Sequence, residues 1–89
     1  MPDLGRLLIV EATPSLARTY QAHLRHDFSA ISIADTGAKA ISAVEAETPD
    51  CILLDLKLPA ANGLDLLDRW TAAALNCPVI VLKSNGSMS

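Results

Sequence analysis

Residues 51–59 read Cys-Ile-Leu-Leu-Asp-Leu-Lys-Leu-Pro, so that a continuous apolar run ends at one acidic residue, Asp55. A run of Ile and Leu without polar alternation is typical of a parallel strand that is buried on both faces. Further apolar runs occupy residues 7–10, 29–33 and 79–82. Because segments with helical periodicity separate these runs, the sequence predicts β-α-β units that form a parallel sheet covered by helices.

The polarity of the runs also predicts the strand order. Residues 29–33 (Ser-Ala-Ile-Ser-Ile) alternate polar and apolar side chains, which indicates a half-covered strand at one edge of the sheet. The first and third strands should then be neighbours at the point where the strand order reverses. We therefore predict a three-layer α/β/α fold with the parallel strand order 2-1-3-4.

Capping residues and prolines predict where the helices begin and end. Thr13 is expected as the N-cap of the first helix, with Pro14 in its first turn. The second helix should open at Thr36 and stop before Thr48-Pro49-Asp50, because proline disfavours helix in the residue that precedes it. Apolar residues at helical spacing are expected to face the core; they are Leu16, Ala17, Tyr20 and Leu24 in the first helix, Ala40, Ile41 and Val44 in the second, and Leu64, Leu67 and Trp70 in the third.

Composition narrows the class of protein. The 89 residues are 51% hydrophobic, which predicts one small folded domain over residues 1–89. A formal net charge of -3 provides no basic patch, so direct binding to nucleic acid or to a membrane surface is disfavoured. No apolar run approaches the roughly 18 residues of a membrane span, and we expect a cytoplasmic protein. Cys51 and Cys77 lack CxxC spacing and are expected to be buried, reduced thiols.

Polar residues follow three of the predicted strands, at the sheet edge where open α/β folds bind ligands. Glu11 follows the first strand, Asp55 the third, and Lys83 and Ser84 the fourth. Glu11 and Asp55 should lie side by side, and two adjacent carboxylates repel unless a cation offsets their charge. An aspartate at such a position could be a metal ligand, a nucleophile or a solvated strand end.

The surrounding residues distinguish among these roles. Residues 52–59, the following Asn62-Gly63-Leu64, residues 8–11 and the helix that begins with proline occur together in one order. This pattern resembles the receiver domain of two-component response regulators, over about residues 7–84. Two segments, Leu-Leu-Asp-Leu-Lys-Leu-Pro at residues 53–59 and Ala-Arg-Thr-Tyr at residues 17–20, look most like the receivers of sigma-54-dependent activators of the LuxO kind. The resemblance implies a flavodoxin-like fold and a signalling module rather than an enzyme.

The resemblance also implies roles for individual residues. Asp55 would be the phosphoacceptor, receiving a phosphoryl group from a histidine kinase or a phosphotransfer protein. A carboxylate can serve as a covalent nucleophile, and Mg²⁺ offsets the charge on the transferring oxygens. The metal would be held by Glu11, Asp55 and the backbone carbonyl of Lys57.

Three departures from the family pattern affect these roles. Ala12 occupies the position of the direct Mg²⁺ ligand, which predicts weakened metal binding. Lys83 stands where receivers carry Thr or Ser, and Ser84 follows one residue out of register. The family's fifth strand, with its lysine, and the last two helices have no counterpart. We hypothesise that the Lys83 ammonium pairs with Asp55 and Glu11; the alternative is that it extends into solvent.

The same departures leave other functions open. A degenerate receiver that no longer accepts phosphate, and acts in dimerisation or protein interaction, is the main alternative. A small flavodoxin-like enzyme is disfavoured because the sequence offers no catalytic base, nucleophilic Ser or Cys, or cofactor loop. Without a fifth strand, residues 79–82 would form an exposed edge. We expect a homodimer or an exchange of elements between copies there, or coverage by the rest of a longer protein.

Overall fold

The computed structural model describes residues 4–58 and 61–82. Its helices and strands follow one another along the chain as β1 (Arg6–Val10), α1 (Pro14–Leu24), β2 (Ala30–Ala34), α2 (Gly37–Ala46), β3 (Cys51–Asp55), β4 (Lys57–Leu58), β5 (Ala61–Asn62), α3 (Gly63–Ala72) and β6 (Val79–Leu82).

The central sheet contains four parallel strands in the order β2-β1-β3-β6. The predicted order is confirmed, with β6 as the predicted fourth strand, and β2 does lie at an edge. The second strand runs one residue later than expected, and Asp55 is the last residue of β3 rather than the residue after it. Two short strands that no sequence pattern predicted, β4 and β5, form a separate antiparallel pair.

The helices cover the sheet on both faces. On one, the α1 face, Ala17 packs against Leu7, Ile9 and Leu53. On the other, the α2/α3 face, α2 and α3 contribute buried residues to a larger cluster. That cluster contains Leu8, Val10, Ala34, Ala40, Val44, Ile52, Leu54, Leu58, Leu66 and Trp70. Alternate residues of β1 and β3 therefore enter different clusters, as expected of strands buried on both faces.

The helix starts agree with the capping prediction. Thr13 and Thr36 are the N-caps of α1 and α2, and the Thr36 hydroxyl accepts a hydrogen bond from the Lys39 amide at 3.1 Å. Two of the predicted core residues are wrong: Leu16 is 41% exposed and Leu64 is 49% exposed. Both lie on the flank of an apolar arc whose centre alone meets the sheet. Leu66 takes the buried position in α3 instead.

The C-terminus of α3 closes with a Schellman motif. The Ala74 amide donates to the Thr71 carbonyl, and the Leu75 amide donates to the Trp70 carbonyl, each at 3.0 Å. Ala74 adopts φ 54°, the left-handed conformation that glycine normally provides at this position. The motif turns the chain back toward β6.

The amino end of the sheet is held by polar contacts to the start of β1. Asp50 accepts a hydrogen bond from the Arg6 amide at 2.8 Å through Oδ2, and its own amide donates to the Arg6 carbonyl at 2.9 Å. The Arg6 side chain forms an ion pair with Glu47. Gly5 has φ 88°, and a Cβ there would collide with the Asp50 carboxylate. These contacts align β1 with β3.

The outer strand β6 is open to solvent. Within the described residues its only neighbour is β3, and Ile80 is 52% and Val81 37% exposed. Within the described residues, β6 therefore presents the apolar edge that the sequence predicts. None of the described helices is both long and apolar enough to cross a membrane.

Cys51 and Cys77 are free thiols, as expected, but each is half-buried rather than buried. Burial raises the pKa of both thiols.

Candidate functional site

Glu11 and Asp55 meet at the carboxyl ends of β1 and β3. Val10 pairs with Leu54 in the parallel register, so that the two acidic residues that follow are neighbours. Both are almost completely buried, with Glu11 2% and Asp55 4% exposed. The predicted juxtaposition of these two residues is therefore observed.

Backbone amides orient the two carboxylates. The Thr13 amide donates to Glu11 Oε2 at 3.1 Å, and the Lys57 amide donates to Asp55 Oδ1 at 2.9 Å. In both cases the donor lies two residues after the acid, so the chain turns back over the carboxylate as it leaves the strand. Each acid thus has one oxygen engaged by the backbone.

Ionisation of both Glu11 and Asp55 at once is unfavourable in this pocket. Burial raises the pKa of Glu11, partly countered by the hydrogen bond from the Thr13 amide. A side-chain hydrogen bond with Asp55 and the negative charge of Asp55 raise it further. Among the described residues, no Lys or Arg forms an ion pair with either acid. The pocket therefore favours either a shared proton or an added cation.

Tyr20 lies close enough to this pair to sense its charge. Burial raises the pKa of the Tyr20 phenol, and the negative charges of Glu11 and Asp55 raise it further. Its side chain is half-buried and packs on the α1 face. Helical spacing placed Tyr20 only on the inner face of the helix, because spacing along a helix carries no information on which strand ends a residue approaches.

A close backbone contact holds the loop that follows Asp55. The Gly63 amide, at the start of α3, donates to the Leu56 carbonyl at 3.1 Å. A Cβ at Gly63 would lie 2.5 Å from Leu56 Cα and 2.9 Å from the Asp55 carbonyl oxygen. Only glycine allows α3 to approach this closely. Gly63 therefore supports the shape of the loop that orients Asp55.

The donor set suits a hard divalent cation with few protein ligands. Two buried carboxylates that no described cationic side chain neutralises, together with backbone oxygens of the adjacent loop, are ligands that Mg²⁺ accepts alongside water. Within residues 4–58 and 61–82, no group of three or more His, Cys, Asp or Glu side chains could hold a metal ion. Ala12, which is half-buried beside Glu11, adds no donor. The site thus fits Mg²⁺ with two carboxylates and backbone oxygens as its protein ligands.

The remaining predicted site residues divide into two groups. Lys57 lies in β4, directly after the loop of Asp55, so its backbone is near the acidic pair. Lys83 and Ser84 fall outside the described residues. In sequence they follow Leu82, which pairs with Asp55 in the register of β6 and β3.

Comparison with known proteins identifies the family. The family model of the response regulator receiver domain matches residues 7–89 of this sequence. The chain belongs to this family. Receiver domains are the signalling modules of two-component response regulators, and the resemblance inferred from the residues around Asp55 is confirmed.

Named relatives agree with this assignment. The chain is 38% identical over 80 residues to the regulatory protein LuxO of Vibrio vulnificus, covering 90% of this chain and 18% of that protein. It is 36% identical over 77 residues to the DNA-binding response regulator MtrA of Mycolicibacterium smegmatis, covering 86% of this chain and 33% of that protein. The chain therefore spans less than a fifth of the length of the LuxO protein and a third of MtrA.

Solved structures show the same fold. The signal receiver domain of a Vibrio parahaemolyticus protein named as a LuxO repressor matches with a TM-score of 0.85 and 36% identity, over 93% of this chain and 64% of that chain. The MaeR response regulator bound to beryllium trifluoride matches with a TM-score of 0.85 and 25% identity, over 98% of this chain and 70% of that chain. Receiver domains bind Mg²⁺ at their phosphorylation site.

Proposed function

We propose that this receiver accepts a phosphoryl group on Asp55. The observation that carries the proposal is the buried Asp55 carboxylate, held by the Lys57 amide at 2.9 Å beside Glu11 at the ligand-binding edge of the sheet. A carboxylate oxygen of Asp55 would attack phosphorus, the bond from phosphorus to the donor's histidine nitrogen would break, and an acyl phosphate would form. The phosphorylated imidazole, protonated at its other ring nitrogen, would depart as neutral imidazole, so that no proton is needed from the pocket.

We further propose that Glu11, Asp55 and the backbone carbonyl of Lys57 hold Mg²⁺. When bound, the ion would offset the negative charge on the transferring phosphoryl oxygens. The chain's own contribution is to aim Asp55 and to keep water out through burial. Because Ala12 cannot coordinate, the affinity should be lower than that of a site with a second acidic residue after β1.

We also propose Lys83 and Ser84 as residues of the phosphorylation site, on the basis of their position in the sequence. They directly follow Leu82, whose backbone register partner is Asp55. A lysine ammonium there would supply the positive charge that the acidic pair lacks, and the Ser84 hydroxyl would supply a donor for a phosphoryl oxygen.

The family supports a histidine kinase or a phosphotransfer protein as the partner that supplies the phosphoryl group. We propose that the 89 residues act as one receiver unit in the cytoplasm, as a signalling module and not as an enzyme with its own substrate turnover. The net charge of -3 argues against direct binding of the chain to nucleic acid or to a membrane.

The open edge at β6 supports self-association as a second part of the proposal. An apolar edge strand that presents Ile80 and Val81 to solvent is a template for another strand. A second copy would cover it by edge pairing or by an exchange of elements. Sedimentation velocity is the test: Ile80→Lys is expected to weaken the association, and a wild-type monomer at high micromolar concentration would contradict the proposal.

The phosphoacceptor proposal is tested by intact mass after incubation with acetyl phosphate and Mg²⁺. Wild type should gain one phosphoryl group, Asp55→Asn should gain none, and Asp35→Asn, an exposed aspartate after β2, should behave as wild type. If wild type gains no mass, the chain acts independently of phosphorylation.

A further inference from the structure

The opposite edge of the sheet, at β2, lacks several of the features that usually prevent edge pairing. Within the described residues β2 pairs only with β1. Its sequence, Ala30-Ile31-Ser32-Ile33-Ala34, contains no charge, no proline and no bulge. Natural sheets normally protect an edge with one of these features because an unprotected edge adds further strands. Ile33 is 40% exposed, and Ala30 and Ser32 are also exposed.

The backbone of β2 presents hydrogen-bonding groups to the open side. The Glu11 amide donates to the Ala34 carbonyl at 3.0 Å, so the polar backbone groups of Ala34 face β1. Because these groups alternate along a strand, those of Ile31 and Ile33 point away from the sheet. Two isoleucines thus offer their amides and carbonyls to an added strand.

The sequence of β2 is a palindrome, Ala-Ile-Ser-Ile-Ala. If two copies pair antiparallel about a two-fold axis at Ser32, Ala30 lies opposite the partner's Ala34, and Ile31 lies opposite the partner's Ile33. The outward-facing groups then meet as hydrogen-bonded pairs, and the two Ser32 residues form a non-hydrogen-bonded pair on the axis. A two-fold contact of this kind uses the same surface on both copies.

A cleft flanks this edge on each face of the sheet. A cavity of about 260 Å³ on the α2/α3 face is lined in part by Ala30 and Ser32. A second cavity of about 260 Å³ on the α1 face is lined by Ile33 and Ala17 together with polar residues that include Glu11. Isoleucine pairs on the α1 face would bury apolar surface that is now exposed.

We infer that the β2 edge is a self-association surface, at which a second copy of this chain adds its own β2 antiparallel to form a continuous sheet. The absence of charge on the strand means that no like charges meet across the axis. One added strand is a small interface, so the association is expected to be weak and to depend on protein concentration. It differs from the contact proposed at β6, which lies at the other end of the sheet.

A cysteine on the predicted two-fold axis provides the decisive test. Non-hydrogen-bonded partners bring their Cα atoms to about 4.5 Å, within the range of a disulfide. Ser32→Cys should therefore form a covalent dimer under mild oxidation, with peptide mapping showing position 32 linked to position 32. Ser42→Cys, an exposed serine on α2, is the matched control and should form no covalent dimer.

A second variant measures the contact without a cross-link. Ile33→Lys should raise the dissociation constant for self-association at least about tenfold, since it places a charge in the added strand pair. Circular dichroism would verify that the variant is folded. The inference is overturned if Ser32→Cys cross-links no faster than Ser42→Cys. It is also overturned if Ile33→Lys leaves association unchanged while Ile80→Lys abolishes it, because the contact then lies at β6 alone, or if β2 binds only other proteins.

Discussion

Glu11 and Asp55 directly follow the register pair of Val10 and Leu54, and their buried carboxyls contact each other with no ion-pair partner among the described residues. The arrangement stores repulsion at neutral pH. A cation or a proton that binds between the two carboxylates relieves this repulsion, so the pair favours binding of either one.

Glu11→Gln should stabilise the metal-free protein at pH 7, because it removes one of two adjacent charges and keeps an acceptor for the Thr13 amide. The folded-state pKa of Glu11 is raised above the ordinary value of 4.5. Relative to the unfolded chain, folding therefore favours the protonated form, and stability declines as the pH rises from about 4.5 through the raised pKa. The advantage of Glu11→Gln should shrink as the pH falls toward 4.5. Urea unfolding in EDTA at several pH values measures this, and an advantage that grows toward acid pH would contradict it.

Ala12→Asp should strengthen Mg²⁺ binding by about tenfold or more, because it adds a third oxygen ligand beside Glu11 and Asp55. Without metal, the same change should lower the free energy of unfolding at neutral pH, since it adds a third negative charge. Calorimetric titration with Mg²⁺ and urea unfolding in EDTA measure the two effects. Ala12→Asn is the matched control that adds an oxygen without the charge.

Gly63→Ala should destabilise the protein by about 1–3 kcal/mol and slow phosphorylation of Asp55, because the new methyl group would collide with the backbone of the Asp55 loop. Asp68→Ala, on the exposed side of the same helix, is the control and should stay within about 0.5 kcal/mol of wild type. Urea unfolding and the rate of mass gain with acetyl phosphate provide the measurements. A Gly63→Ala protein of unchanged stability would show that α3 can withdraw from the loop.

Ala74→Gly should stabilise the protein by about 0.5–1 kcal/mol, since Ala74 holds the left-handed position of the Schellman motif at φ 54°. Relief of this strain exceeds the entropy that glycine adds to the unfolded chain. Ala73→Gly, one residue earlier, should instead be destabilising. Thermal unfolding of the two variants should therefore show shifts of opposite sign.

Asp50→Ala should cost about 1 kcal/mol, because the Arg6 amide loses its acceptor at the start of β1. Asp50→Asn should cost less, as the amide oxygen can still accept. Asp35→Ala removes only an exposed ion pair with Lys39 and should change stability by less than about 0.5 kcal/mol. Equal losses for Asp50→Ala and Asp50→Asn would show that charge, and not the hydrogen bond, is responsible.

Local signals account for what could be predicted from the sequence. Threonine caps, proline positions and run polarity predicted the helix starts and the strand order because each acts within a few residues. The convergence of Glu11 and Asp55 was also predictable, since parallel strands end at a common edge. These features needed no knowledge of side-chain packing.

The misassigned residues depend on tertiary packing. Leu16 and Leu64 have apolar spacing, but only the centre of each helical arc meets the sheet. The position of Tyr20 beside the acidic pair and the antiparallel pair β4 and β5 depend on how elements distant in sequence approach one another. Gly63 carried a usable signal, because a glycine directly before a helical segment often marks a close backbone approach.

In the register of β3 and β6, Asp55 pairs with Leu82, so the strand that ends at the proposed phosphoacceptor lies directly beside β6. A strand added at β6 would run only about 10 Å from the Asp55 backbone, two strand spacings away. Thermodynamic reciprocity then requires that any effect of a bound metal or phosphoryl group on docking at that edge be matched by an equal effect of docking on their affinity.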